Sequence, residues 1–187
     1  MNLNTIHSVY FVGIGGIGMS AIARFFKQRN VQVSGYDKTE TPLTLQLQTE
    51  GIHIHYTEDV NLLNKEVDLV IYTPAIPATN QVLLWYQQHQ YIVVKRSDIL
   101  QMISQEMNAV CVAGTHGKTT ISTLIAHILR ATEFGCNAFL GGISANYDVN
   151  YWSSENACAV IEADEYDRSF LKLFPQIAVL TAMDADH

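Results

Sequence analysis

The sequence predicts an α/β protein made of two consecutive parallel-sheet units, and three observations carry that reading. Short apolar runs of strand length alternate with stretches of helical periodicity along most of the chain, as strands covered by crossover helices do. The first run, residues 9–12, leads into Gly13-Ile14-Gly15-Gly16-Ile17-Gly18. A later run, residues 110–112, leads into Ala113-Gly114-Thr115-His116-Gly117-Lys118-Thr119-Thr120. Both glycine turns sit between a strand and a helix, where backbone N–H groups and a helix N-terminus converge on an anion.

Each element has its own warrant. Residues 9–12 (Val-Tyr-Phe-Val) read as a buried strand, and 19–28 carry helical apolar spacing. Residues 31–36 form the next strand and end at Asp37. A helix follows over 41–50, opened by Thr41-Pro42. Residues 52–54 are a short strand; 67–72 are a stronger one, stopped by Thr73-Pro74-Ala75-Ile76-Pro77. Residues 80–89 are helical, 92–94 a strand, and 97–105 helical with Ser97 as N-cap. The second unit has strands at 109–112, 157–161 and 177–182, a helix at 118–130, a candidate fourth strand at 137–140 and a loop-rich stretch at 141–155. About three strands are too few for such a sheet, which usually has ~5–6. The expected organisation is therefore a Rossmann-like domain over 1–106 and an incomplete P-loop α/β domain over 107–187.

Composition excludes several classes. The chain has 187 residues, 48% of them apolar, with a net charge of −7 and 11 scattered Lys and Arg. Without a basic stripe, nucleic acid is an unsuitable partner. Cys111, Cys136 and Cys158 are widely spaced and odd in number, which points to a reducing compartment rather than a disulfide framework or zinc site. The uncharged stretch 8–23 is shorter than the ~20 residues of a membrane span, carries glycines and lacks a basic leader. The expectation is a cytoplasmic protein with no membrane insertion, monomeric or weakly self-associating.

The second glycine turn points to a nucleoside triphosphate. Gly114, Thr115, His116, Gly117, Lys118, Thr119 and Thr120 would line the phosphates. Lys118 would reach the β/γ-phosphates and the Thr119 hydroxyl would hold Mg²⁺. The turn departs from the full P-loop pattern, because Val112 stands where the first glycine belongs. Glu162 ends a strand beside this loop, where a second metal ligand sits; a solvated acidic turn is the alternative, since Asp164, Glu165 and Asp167 crowd it. His187 ends a parallel strand region, and metal ligand and ordinary surface residue weigh evenly. His116 either touches phosphate or substrate or is a tolerated variable position.

The first turn fits Gly-x-Gly-x-x-Gly at Gly13, Gly15 and Gly18, with Asp37 at the end of the following strand. NAD, another diphosphate nucleotide such as a UDP-sugar, and a plain packing turn are all consistent with it. The neighbouring unit favours the UDP-sugar, because a P-loop is an odd companion for a dehydrogenase domain. His53 and His55 read as an exposed edge; Tyr147, Tyr151 and Trp152 as packing; Met19, Met102 and Met107 as core.

Taken together, Gly-Ile-Gly-Gly-Ile-Gly-Met-Ser at 13–20, Ala-Gly-Thr-His-Gly-Lys-Thr-Thr at 113–120, Glu-Ala-Asp-Glu at 162–165 and the terminal Asp-Ala-Asp-His resemble the Mur ligases of bacterial cell-wall synthesis. The resemblance implies ATP and Mg²⁺ as cofactors and a ligase that joins L-alanine to the lactyl carboxylate of UDP-N-acetylmuramate through an acyl phosphate. Glu-Ala-Asp-Glu-Tyr-Asp also resembles the sister activity that recycles murein tripeptide. By the same resemblance Lys118 and His116 are catalytic, Thr119, Glu162 and His187 ligate metal, and Gly15, Gly16, Ile17, Gly18, Asp37, Thr73 and Arg96 hold the UDP part. It further implies that the family's amino-acid domain is missing, so the chain is expected to be an N-terminal fragment, inactive alone. The rival readings are a non-catalytic nucleotide-binding module and an NAD-dependent dehydrogenase.

Overall fold

A computed structural model describes residues 2–184. The chain separates into two compact units, Met1–Arg96 and Ser97–His187.

In the first unit, β1 (Ser8–Val12), α1 (Ile17–Gln28), β2 (Gln32–Tyr36), α2 (Pro42–Thr49), β3 (His53–His55), β4 (Leu69–Tyr72), α3 (Gln81–Gln88) and β5 (Val93–Lys95) follow one another. The sheet runs β3-β2-β1-β4-β5 and is parallel throughout. All five residues of β1 are buried, because helices cover both faces of a parallel sheet. The chain leaves β1 toward β2 and β3 and then returns to β4 on the other side. The loops after β1 and β4 therefore part at the carboxyl edge, where such sheets bind ligands. Helix α1 buries residues 19–26, including Ile22, Phe25 and Phe26. Thr41 caps α2 in a capping box with Thr44, and Pro42 takes its first turn. The Asn80 side chain accepts from the Leu83 N–H and caps α3. The expected histidine edge is present: β3 is the outer strand, though His55 is half-buried against Tyr10.

The second unit holds α4 (Arg96–Glu106, all but its first residue), β6 (Asn108–Ala113), α5 (Lys118–Ala131), β7 (Asn137–Ser144), β8 (Val149–Trp152), β9 (Cys158–Glu162) and β10 (Ile177–Leu180), with a 3-10 segment at Tyr166–Lys172. Its sheet runs β10-β6-β9-β7-β8 and has five strands, not the three or so expected. The candidate strand at 137–140 forms as the start of β7, and β8 comes from 141–155. Where a loop-rich stretch was expected, β7 continues to Ser144 and returns antiparallel as β8. Gly141 and Gly142 hid this from the sequence, since glycine is depleted in strands, while the cross-strand ring pair Phe139–Tyr151, 5.1 Å apart, supports the hairpin. Tyr147 and Trp152 pack edge to face and take Arg130 over their rings; the aromatic group is packing, as expected, with Tyr151 and Trp152 on β8 and Tyr147 in the turn before it.

Two more expectations shift. Ser97 is not an N-cap: α4 starts at Arg96, straight out of β5, and Ser97 is buried in the first turn. The division between units falls before α4 rather than after it. Asp98 pairs with Lys172, and the Phe174 N–H donates to Ser104 Oγ, so the helix is tied to the second unit. Among the described residues no helix is long and apolar enough to cross a membrane.

Candidate functional site

The loop after β1 is shaped by its glycines. Gly13 has φ +87°, and a Cβ there would press on Thr73 Cγ2 and Ile76 Cδ1 at 3.0 Å. The N–H groups of Gly13 and Ile14 both donate to Tyr36 O. Asp37, at the end of β2, accepts from Gly15 N–H through Oδ2 at 2.7 Å and from Thr39 N–H through Oδ1 at 3.1 Å. A Cβ on Gly15 would lie 2.7 Å from Thr44 Cγ2 and 2.8 Å from Asp37 Oδ2. One on Gly18 would run into the Arg96 guanidinium. Gly16 is exposed and caps α1 from an extended conformation, and Ile17 is the first residue of that helix. Thus Gly15, Gly16, Ile17, Gly18, Asp37, Thr73 and Arg96 gather around one turn. Here Asp37 is engaged with the loop's own amide, the kind of N–H that faces a diphosphate in this motif.

The loop after β6 is shaped by charge. Gly114 has φ +132° and Gly117, the N-cap of α5, has φ +79°. Both conformations favour glycine, and a Cβ on Gly114 would also lie 2.8 Å from the Ala182 backbone. Lys118 folds back over the loop: its Nζ donates to Gly114 O and to Glu165 Oε1, both at 2.7 Å. Thr119 Oγ1 donates to Glu162 Oε1 at 3.0 Å. The second oxygen of Glu162 accepts from Gly141 N–H at 2.9 Å and Ser122 Oγ at 3.4 Å. The loop tip is tied to the segment after β10: Thr115 N–H donates to Ala182 O at 3.1 Å, Thr115 Oγ1 donates to Asp184 Oδ2 at 3.2 Å, and Thr181 Oγ1 donates to His116 O. His116 itself is an exposed side chain whose Nε2 lies 3.8 Å from Asp184 Oδ2. Thr120 is exposed on the first turn of α5. A cavity of about 700 Å³ opens beside Gly114 and Thr115, with Glu165, Arg168, Leu180 and Met183 on its walls.

The residues expected around the triphosphate therefore converge, except that His187 lies outside the described residues. Among the described residues no group of three or more His, Cys, Asp or Glu side chains forms a ready metal cage. Thr119 and Glu162 still suit Mg²⁺. Cis oxygens at its ~2.0–2.1 Å bond length stand about 2.9 Å apart, and Mg²⁺ takes the rest of its shell from phosphates and water. Three participants escaped the sequence reading. Gly141 N–H comes from a strand hidden by its glycines. Glu165 was read as part of an acidic turn and Asp184 only within the terminal Asp-Ala-Asp-His; their partners lie 47 and 69 residues away in sequence, and no spacing rule pairs them.

Known proteins resemble this chain over nearly its whole length. A family model described as Mur ligase family, catalytic domain, matches residues 8–108. A UDP-N-acetylmuramate–L-alanine ligase of Cytophaga hutchinsonii is 50% identical over 196 residues, covering 100% of this chain and 42% of that protein. The crystal structure of a UDP-N-acetylmuramate:L-alanyl-gamma-D-glutamyl-meso-diaminopimelate ligase from Neisseria meningitides superposes with a TM-score of 0.89 at 26% identity, covering 98% of this chain and 62% of that one. That of a UDP-N-acetylmuramate-alanine ligase from Thermotoga maritima gives 0.86 at 29% identity, covering 96% and 42%. The chain spans less than half the length of the curated relatives it matches.

Proposed function

This chain belongs to the Mur ligase family, and from that premise we propose that it carries the UDP-substrate unit and the nucleotide cradle of a cytoplasmic, ATP- and Mg²⁺-dependent ligase joining L-alanine to UDP-N-acetylmuramate. The observation that carries the reading is the cradle itself: Lys118 folded over Gly114, with Thr119 Oγ1 at the start of α5 3.0 Å from Glu162 Oε1 at the end of β9. A carboxylate cannot expel oxide, so amide formation needs prior phosphorylation. Lys118 would neutralise charge on the transferring phosphoryl group, and the N–H groups of the loop and of the first turn of α5 would orient it. Thr119 and Glu162 would hold Mg²⁺, which when bound neutralises phosphate charge; His187 is proposed to join them. Asp37, Arg96, Thr73 and the amides of residues 15–18 would hold the UDP part, with Asp37 releasing Gly15 N–H to the diphosphate.

Sequence identity favours L-alanine as the amine, because the 50% relative bears that activity. The murein-tripeptide alternative draws on the higher backbone likeness to the Neisseria enzyme. Calorimetric titration of the 187-residue chain tests the first unit: UDP-N-acetylmuramate binds and NAD does not. Micromolar NAD binding with no response to the UDP-sugar overturns the assignment. In the full-length protein, Mg-ATP and UDP-N-acetylmuramate release phosphate faster with L-alanine than with the tripeptide; the reverse order selects the recycling activity.

A further inference from the structure

We propose that Glu165 is a displaceable counter-ion: it holds Lys118 in the nucleotide-free cradle and yields the lysine to the phosphates of an incoming nucleotide. The inference rests on reading residues 113–120 as a nucleotide cradle and adds a residue that this reading does not use.

The two carboxylates at the end of β9 have different work. Glu162 is committed to the helix and the neighbouring strand through Thr119, Ser122 and Gly141 N–H. Glu165 instead places Oε1 2.7 Å from Lys118 Nζ, and both side chains are largely sheltered, at 26% and 14% exposure. The Lys118–Gly114 bond is internal to the loop and can persist with ligand bound. The Glu165 bond cannot persist unchanged. A phosphate oxygen reaching the same ammonium would sit within a few ångströms of a carboxylate, and two anions that close repel. Sheltering from water strengthens both the attraction that holds Lys118 now and the repulsion that follows.

The structure also supplies a way out for the displaced group. The backbone at this point is pinned: Asp164 O accepts from Phe170 N–H and Ser169 Oγ, and Glu165 O accepts from Arg168 N–H. Displacement is therefore a rotation of the Glu165 side chain rather than a movement of the turn. Glu165 lines the cavity of about 700 Å³ beside the loop, and Arg168 stands on the wall of the same cavity. Arg168 on that wall is a second cation toward which the rotated carboxylate can turn. Glu165 thus keeps Lys118 ordered when no nucleotide is bound, at a cost in nucleotide affinity.

Two measurements on the 187-residue chain test this. In calorimetric titration with Mg-ATP, Glu165→Gln binds about threefold tighter or more than wild type, while Glu155→Gln, which removes the same charge from an exposed position of the same unit, leaves affinity nearly unchanged. In the ligand-free protein, acylation by an amine-reactive ester followed by peptide mapping shows Lys118 labelled about threefold faster or more in Glu165→Gln, with Lys38 unaffected. Glu165→Ala is read in the same way should the Gln variant melt early. Unchanged or weaker Mg-ATP binding, a gain matched by Glu155→Gln, or unchanged Lys118 labelling each overturns the proposal. Faster Lys118 labelling with no Mg-ATP binding by any variant, including wild type, overturns the cradle reading itself and the displacement with it, while the counter-ion contact stands.

Discussion

The two glycine loops occupy equivalent places, each leaving the first strand of its sheet and opening a helix, yet they are stabilised in different ways. The loop of the first unit is packed. Its helix α1 buries residues 19–26 without a break, and Gly13, Gly15 and Gly18 are each tightly hemmed by neighbouring side chains. The loop of the second unit is held by polar bonds. Its helix α5 buries Ser122 and Ala126, leaves Leu124 and Ile128 each 50% exposed, and carries Lys118 and Thr119 paired to carboxylates. A loop set by packing presents one fixed surface, which suits a substrate held throughout a reaction. A loop set by ion pairs can exchange its partners, which suits a group that arrives charged and leaves with a different charge.

The sharpest test separates the two loops chemically. In the full-length protein, Lys118→Ala lowers the ligation rate by on the order of 10³-fold, as loss of a charge-stabilising donor does, while UDP-N-acetylmuramate affinity stays within about twofold because the site proposed for it lies on the other unit. A parallel collapse of UDP-substrate binding in a folded variant breaks the comparison. The difference in packing should appear in stability. Ile22→Ala on α1 costs about 2–5 kcal/mol in chemical denaturation, whereas Leu124→Ala on α5 costs less than about 0.5 kcal/mol. Equal losses would mean that α5 is as fully covered in solution as α1.

Gly15→Val probes the packed loop directly. The added atoms press on Thr44 and Asp37, so UDP-substrate affinity falls at least tenfold and stability drops by about 1–3 kcal/mol. Unchanged calorimetric affinity would remove Gly15 from the site. The smallest effect is a pH dependence confined to the first unit. His55 accepts from Tyr10 OH and faces Thr57 O, and burial lowers its pKa below the ordinary imidazole value. The unfolded chain therefore binds the extra proton first. The His55 contribution is fully present above about pH 6.5 and is lost as pH falls through the lowered folded value. His55 is partly solvated, so the melting midpoint drops by no more than about 2 °C between pH 7 and 5, and His55→Asn flattens that limb.

Much of this architecture is local information, and the sequence carries it. Strand-glycine-helix order placed both loops, because each glycine answers a backbone need at its own position, as Gly117 does by opening α5 from φ +79°. Thr41, Pro42 and Asn80 opened their helices as their side chains dictate. Ser97 misled for the same reason: a good cap residue says nothing when the preceding strand runs directly into the helix. The β7–β8 hairpin was illegible because its stability comes from aromatic contacts across the strands rather than from the strand propensity of Gly141 and Gly142.

The sequence by itself determined the fold class, the two glycine loops and the places of Lys118, Thr119, Glu162 and Asp37 beside them, since each follows from residue type at a fixed offset from a strand or helix end. Tertiary structure alone decided which carboxylate each loop meets: Asp37 on Gly15, Glu162 on Thr119 and Glu165 on Lys118. It also decided that α4 joins the second unit. These pairings span from 22 to 47 residues. They exist because parallel pairing of β1 with β2, and of β6 with β9, sets their carboxyl edges side by side, and a charge finds its counterpart through that shared edge rather than along the chain.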